Sequence, residues 1–441
     1  MIFSIIFILM IVFGIGLPLT LLIAPRGNLV GNLGISFPLG IGIFTLAMFI
    51  SNLLGLRFSL LNNFLLLILF SVPIIFSQKK RIKRYFLELL DSAQNVRFSL
   101  DEKIMFGVIG FFAVSSFINT FYWPVYSWDS LVLYDFRGRI FALTGFIKDA
   151  LFSNYYVSYP LLTSLAHAIV YLSSGKNPQF IYSLFYLSLG LCFYGLLRET
   201  ISRRLGILFT LILMVIPLIF EHSIISLTNL PYTVFLSLGV IYFYLWDKKR
   251  TQGYLILSAL LVGLTTLTRG IEPYWLAVFL VVVLTSLFRK RFVDIAVYSL
   301  FFFPIQQAWK IFQSTWQGPQ SATTSQVVGY VKILFNIFDI NRWREVLGYI
   351  DVNIVLPWGA VFSAFILAFV FSFIIKKQKR TPLIFLATFT LLLFVLAGTY
   401  IYSFIQVNWS LIGDAANRMS MIFYPLFIYS IGVVIGKYNE K

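Results

Sequence analysis

The sequence predicts an all-α protein, a polytopic transmembrane helical bundle of about thirteen spans. Three observations carry that prediction. Of 441 residues, 59% are hydrophobic and only 12% are charged, about half the charge of an ordinary globular domain. Mean hydropathy is +0.88. Apolar runs of about 18 to 25 residues recur from end to end, each long enough to cross a hydrocarbon core of roughly 30 Å as a helix.

In chain order the expected spans lie near 2–24, 34–55, 59–77, 104–122, 180–196, 205–220, 230–246, 253–268, 273–288, 293–308, 354–375, 382–402 and 419–436. The first run lacks a basic leader and is too long for a signal-peptide core, so it reads as a retained span. The segment 158–174, "SYPLLTSLAHAIVYLSS", reads as a short helix that enters the membrane and returns. The whole chain, 1–441, reads as one integral membrane domain. Residues 1–103 add N-terminal spans and a basic loop, and 104–436 form the main module with outer loops 123–158 and 309–353. The single cysteine, Cys192, allows no intrachain disulfide.

The formal net charge is +17. Most basic residues fall in short blocks between apolar runs: "QKKRIKR" (78–84), "RETISRR" (198–204), "DKKR" (247–250), "RKR" (289–291) and "KKQKR" (376–380). Lys and Arg near span ends favour the cytoplasmic face, so the charge reports topology rather than a nucleic-acid partner. With those blocks inside, the exceptions outside include Arg57, Arg137, Arg139, Arg269 and Arg418. A multi-pass protein of the plasma (inner) membrane, with its chemistry on the extracytoplasmic side, is expected.

The stretch "YSWDSLVLYDFRGRIFALTG" (126–145) gathers charge on that outer side. As a helix it places Leu133, Phe136, Ile140 and Leu143 on one apolar stripe, with Asp129, Asp135, Arg137 and Arg139 elsewhere. It is expected to lie along the membrane surface. Asp135 and Arg139 form an i,i+4 pair, and Asp129 is placed to cap the helix.

The motifs resemble those of a known family. "SWDSLVLYDFRGRIFA" and "NYYVSYPLLTSLAHAIVY" are followed by "MVIPLIFEHS", "TNLPYTVFLSLGVIYF", "GLTTLTRGIEPYW" and "ANRMSMIFYPL". In that order they are similar to the GT-C class of membrane glycosyltransferases. The nearest groups in pattern are the dolichyl-phosphate-mannose protein mannosyltransferases and the lipopolysaccharide-modifying RgtA-like enzymes. A single proline, Pro160, stands where such proteins often have two, and Asn229 stands where they often have an acid.

The resemblance implies an inverting transfer of a sugar from a polyprenyl-phosphate donor to an acceptor hydroxyl on a glycan, lipid or protein. No cofactor and no metal is expected, and two histidines leave little for metal chemistry. A general base must take the hydroxyl proton, and Asp129 is the candidate. The phosphate leaving group needs fixed donors, for which Arg137, Arg139, Arg269 and Arg418 are candidates. Asp135, Tyr159, Glu221, His222 and Glu272 are placed around the substrates. The loop 309–353 is expected to cover the cleft. A lipid-linked oligosaccharide flippase or polymerase, or another transporter, is the alternative. Proton or ion coupling needs ionisable groups near the bilayer midplane, whereas here they gather at span ends.

Overall fold

The computed structural model describes residues 2–24, 27–150, 159–270, 273–317, 339–374, 382–406 and 408–439. Among them the secondary structure is helical, with no strand. The helices are α1 (Ile2–Ile23), α2 (Leu29–Leu53), α3 (Leu60–Asn95), α4 (Leu100–Tyr122), α5 (Phe136–Thr144) and α6 (Leu162–Leu172). They continue as α7 (Phe180–Arg198), α8 (Arg203–Met214), α9 (Pro217–Ser223), α10 (Asn229–Lys249), α11 (Gln252–Thr268) and α12 (Tyr274–Phe288). The last six are α13 (Phe292–Gln317), α14 (Ile340–Ile350), α15 (Leu356–Ile374), α16 (Pro382–Ile405), α17 (Gly413–Ser420) and α18 (Phe423–Asn439).

The expected spans are largely helical where they are described; 205–220 breaks at Val215 and Ile216 between α8 and α9. Among the described residues nine helical stretches are long and apolar enough to cross a membrane, or ten when α8 and α9, bent by 70° at their break, count as one. The protein is therefore a multi-pass helical membrane bundle. The difference from thirteen arises at short or polar helices: α11 and α12 have 17 and 15 residues, and α13 carries Asp294, Gln306 and Gln307. Helix α6 has 11 residues, which at 1.5 Å per residue is about half the hydrocarbon thickness. It is buried inside the bundle along nearly all its length.

Local chemistry sets where these helices begin. The Asn28 side chain accepts from Val30 N at 3.0 Å and Gly31 N at 3.2 Å, opening α2. Ser59 caps α3 through Asn62 N at 3.1 Å. Ser99 and Glu102 form a reciprocal capping box at the start of α4; the sequence S-x-x-E satisfies two otherwise orphaned backbone donors.

Packing separates inner from outer helices. The apolar window of α10 is 100% buried, and those of α2 and α7 are 78% buried, against 11% for α3 and 17% for α4. The outer pair turns Leu61, Leu69, Phe76 and Phe111 outward, as a surface facing lipid rather than water allows. Between α2 and α7 the backbones touch. A Cβ on Gly34 would overlap the Cys192 backbone, and one on Gly195 would overlap Gly31. Small residues let membrane helices approach this closely, so Cys192 occupies a packing position.

Ion pairs tie the basic blocks to one end of the bundle. Arg203 donates to Glu102 at 2.8 Å, Arg204 pairs with Asp101 at 2.6 Å, and Lys249 pairs with Glu199. Asp247 takes both Arg250, at 3.1 Å, and Arg289. Arg291 meets Asp294 at 2.6 Å. The block 376–380 lies outside the described residues. At the opposite end, the loops after α4, α6, α9, α11 and α16 come together, and there the charged stretch is found.

Candidate functional site

The charged stretch folds differently from a plain α-helix. Residues Ser130–Asp135 form a π-helical turn, followed by α5. One extra residue in a turn shifts the phase of everything beyond it, and such turns recur at functional sites. Phe136 and Leu143 of the expected apolar stripe are exposed, whereas Leu133 is buried. The buried face of α5 is Arg137, Gly138 and Phe141, with Asp135 just before it. Gly138 lets α5 sit directly on α6, since a Cβ there would come within 2.7 Å of the His167 Cβ.

Asp129 stands at the start of the π-helical turn, but its side chain makes no capping hydrogen bond. Its carboxylate instead meets Arg418 of α17, Oδ2 to Nη1 at 3.6 Å. Arg418 also pairs with Asp414, one turn earlier, at 3.1 Å. The Asp129 side chain is 45% exposed and that of Arg418 23%, so the pair is open on one side. Ser130, next in the chain, is buried and donates to the Ser226 carbonyl at 2.9 Å. That bond ties the Asp129 backbone to the loop before α10.

Arg269 closes α11 as its C-cap. Its Nη1 donates to Thr228 Oγ1 at 3.5 Å, and the Tyr134 hydroxyl lies 3.3 Å from the same oxygen. Burial pushes the Tyr134 hydroxyl above its ordinary pKa; Arg269 and Arg137 pull it down, while Asp129 adds to the rise. Asp129, Arg137 and Arg269 thus act on one tyrosine. Asn229, beginning α10, donates to the Met419 sulfur at 3.7 Å, which places α10 against α17.

Three buried polar atoms lack a hydrogen-bond partner among the described residues in this region: Arg418 Nε, Asn417 Oδ1 and His222 Nε2. The other ring nitrogen of His222, Nδ1, lies 2.9 Å from the Leu218 carbonyl. Buried polar atoms are nearly always satisfied in folded proteins. A cluster of orphans beside a half-exposed carboxylate is what a site awaiting a polar ligand looks like.

Other residues expected at the site are held elsewhere. Arg137 is wholly buried and so does not share an open cleft with Asp129. Its Nε donates to the Leu133 carbonyl at 2.9 Å and Ser164 Oγ at 3.1 Å, and its Nη atoms to the carbonyls of Tyr159 at 2.7 Å and Pro160 at 3.2 Å. A guanidinium committed to four protein oxygens is a clamp on the turn before α6 rather than a phosphate ligand. Arg139 donates to Asp135 at 2.8 Å and lies over the Tyr171 ring, which turns it away from Asp129.

Asp135 is buried and also accepts from His167 Nδ1 at 3.2 Å and from the Tyr171 hydroxyl. With Nδ1 carrying the proton, His167 Nε2 is the acceptor for the Tyr182 hydroxyl at 3.1 Å. Burial raises the Asp135 pKa, but the bonds from His167, Tyr171 and Arg139 outweigh it and bring the carboxyl down to about 2. Asp135 is therefore a fixed anion in a network joining α5, α6 and α7. Tyr159 is half-buried with its ring edge-on to Tyr134, and Glu221 is exposed. Glu272 and residues 318–338 of the expected 309–353 loop lie outside the described residues; the rest of that segment is largely helical, in α13 and α14.

Sequence reading missed Thr228, Asn417 and Asp414. Only Asp414 left a trace, its i,i+4 spacing to Arg418. Among the described residues no group of three or more His, Cys, Asp or Glu is placed to hold a metal. No protein-family model, curated protein or solved structure matches this chain.

Proposed function

We propose that the chain is a GT-C-like glycosyltransferase, moving a sugar from a polyprenyl-phosphate donor to an acceptor hydroxyl at the extracytoplasmic membrane face. The observation that supports this reading best is the meeting of Asp129 with Arg418, a carboxylate and a guanidinium from opposite parts of the chain, at 3.6 Å and partly open.

In this mechanism the acceptor oxygen attacks the anomeric carbon and the bond from that carbon to the phosphate oxygen breaks, with inversion. Asp129 takes the acceptor's proton as general base. The electron pair of the broken bond leaves on polyprenyl phosphate, where Arg418, and Arg269 beyond Thr228, stabilise the growing charge. The long N–O distance between Asp129 and Arg418 leaves room for both partners to turn to substrate. Ordinary charge-assisted contacts are about 2.7–2.9 Å.

The test is Asp129→Asn at matched expression, with sugar transfer from a polyprenyl-phosphate donor as the readout. Loss of a general base lowers turnover by about 100-fold or more, while donor binding survives. Turnover equal to wild type would overturn the assignment. A carrier of lipid phosphates has no obligatory use for a base at this position, so donor translocation unchanged by Asp129→Asn, with no transfer in wild type, would favour a flippase.

A further inference from the structure

The first half of α3 is apolar and faces outward, whereas its second half projects beyond the apolar stretch as "KKRIKRYFLELLDSAQN". This projecting half is docked, not free. Tyr85 is buried with Leu17 and Leu21, joined by Leu29, Ile82 and Leu89, and its hydroxyl donates to the Leu29 carbonyl at 2.8 Å. Docking leaves a cavity of ≈ 630 Å³ at the basic end of the bundle, lined by Leu29, the exposed Arg81, Arg84 and Glu88, and Glu199, which is taken by Lys249, among others. That volume falls within the roughly 300–1,000 Å³ of small-molecule sites.

The lining carries both signs of charge. Arg81 is positioned by its Nη1, which donates to Gln78 Oε1 at 3.0 Å and the Leu21 carbonyl at 3.5 Å. Arg84 and Glu88 have no hydrogen-bond or ion-pair partner among the described residues. Residues four apart share a helix face, yet these two do not neutralise each other. Arg preceding Glu is also the less favourable order for such a pair. A cavity with an uncommitted cation and an uncommitted anion fits a ligand carrying the opposite charges in the same compass.

We propose that this cavity binds the headgroup of an aminophospholipid, with its phosphate on Arg84 and Arg81 and its primary ammonium on Glu88. The membrane supplies the ligand. Phe70, which by helical spacing shares a face of α3 with Arg81 and Glu88, is 37% exposed and offers an apolar contact for acyl chains. A guanidinium pair grips a phosphate through parallel hydrogen bonds, and a primary ammonium gives Glu88 the N–H donors that a glycerol headgroup lacks. The proposal stands independently of the glycosyltransferase reading.

The test is native mass spectrometry of the full-length detergent-solubilised protein, incubated with equal amounts of phosphatidylethanolamine and phosphatidylglycerol of matched acyl chains. Wild type retains phosphatidylethanolamine in preference. Arg84→Gln lowers retention of both lipids by about tenfold, as the loss of a charged hydrogen bond requires. Glu88→Gln keeps the total and abolishes the preference. Lys103→Gln, which removes one exposed positive charge from another helix at the same end, leaves binding unchanged. Equal retention of the two lipids by wild type, an undiminished signal in Arg84→Gln, or an equal loss in Lys103→Gln would overturn the proposal. Binding of free O-phosphoethanolamine as tight as that of the lipid would overturn the membrane as the source.

Discussion

Arg418 and Arg137 show how two arginines in the same neighbourhood reach opposite fates. Arg418 keeps Nε unsatisfied and shares its remaining contacts between Asp129 and Asp414. Arg418→Gln is therefore expected to weaken donor binding by about tenfold, the cost of one charge-assisted contact, with little change in thermal stability. A titration of the donor analogue, set beside a melting curve, checks both halves of that statement. Arg137 is bonded to carbonyls of Leu133, Tyr159 and Pro160. Arg137→Met leaves those oxygens buried and unpaired, and the expected loss is about 2–4 kcal/mol of stability, read as a lower Tm at equal protein concentration. Unchanged stability in Arg137→Met would sink its role as a clamp. Asp135 extends the contrast to pH. Its pKa falls from the ordinary 3.8 to about 2 on folding, so its contribution is fully present above about pH 4 and is lost as pH drops through about 2. Tm measured across that window should fall in wild type more steeply than in Asp135→Asn; parallel curves would contradict the network.

At the scale of the elements, apolar run length carried most of the information. Apart from the break between α8 and α9, the runs predicted to be spans are largely helical where they are described, because about 18 apolar residues have no other way to satisfy their backbone in lipid. The Asp135–Arg139 pair, 2.8 Å apart, was legible for a similar reason: i,i+4 spacing is a local geometry. The π-helical turn at Ser130–Asp135 was not legible. It has no composition signal, and its first residue, Ser130, is bonded to the Ser226 carbonyl, two segments far apart in sequence. The burial of Arg137 escaped for the same cause, since its acceptors are carbonyls that any residue type provides. The close approach of α2 and α7 gives this scale its own prediction. Gly34→Val drives a side chain into the Cys192 backbone, and overpacking of this kind typically costs about 1–3 kcal/mol. Folded yield by size-exclusion chromatography should drop, while Gly107→Val, at a position on α4 where a Cβ meets nothing within 4 Å, should not change it.

For the molecule as a whole, the two ends of the bundle differ in kind. One end is laced by Arg203–Glu102, Arg204–Asp101, Arg250–Asp247 and Arg291–Asp294, and the other holds Asp129, Arg269 and Arg418. The proposed function requires the second end to face outward and the first, where the basic blocks lie, to face the cytoplasm, the orientation expected from charge bias. The sequence made that division readable because the rule depends only on where Lys and Arg fall, whereas the convergence at Asp129 needed the folded chain. A single cysteine, Cys192, buried with its thiol 3.7 Å from the Tyr242 hydroxyl of α10, makes the division measurable without a cysteine-free background, since a sealed thiol is inaccessible to reagent. Lys176→Cys, exposed in the loop between α6 and α7, should be modified in intact cells by a membrane-impermeant maleimide. Lys83→Cys, exposed on the projecting half of α3, should react only after the membrane is permeabilised, and wild type should not react in either case. Labelling of Lys83→Cys in intact cells with protection of Lys176→Cys would turn the bundle over, put Asp129 in the cytoplasm, and remove the extracytoplasmic donor from the mechanism.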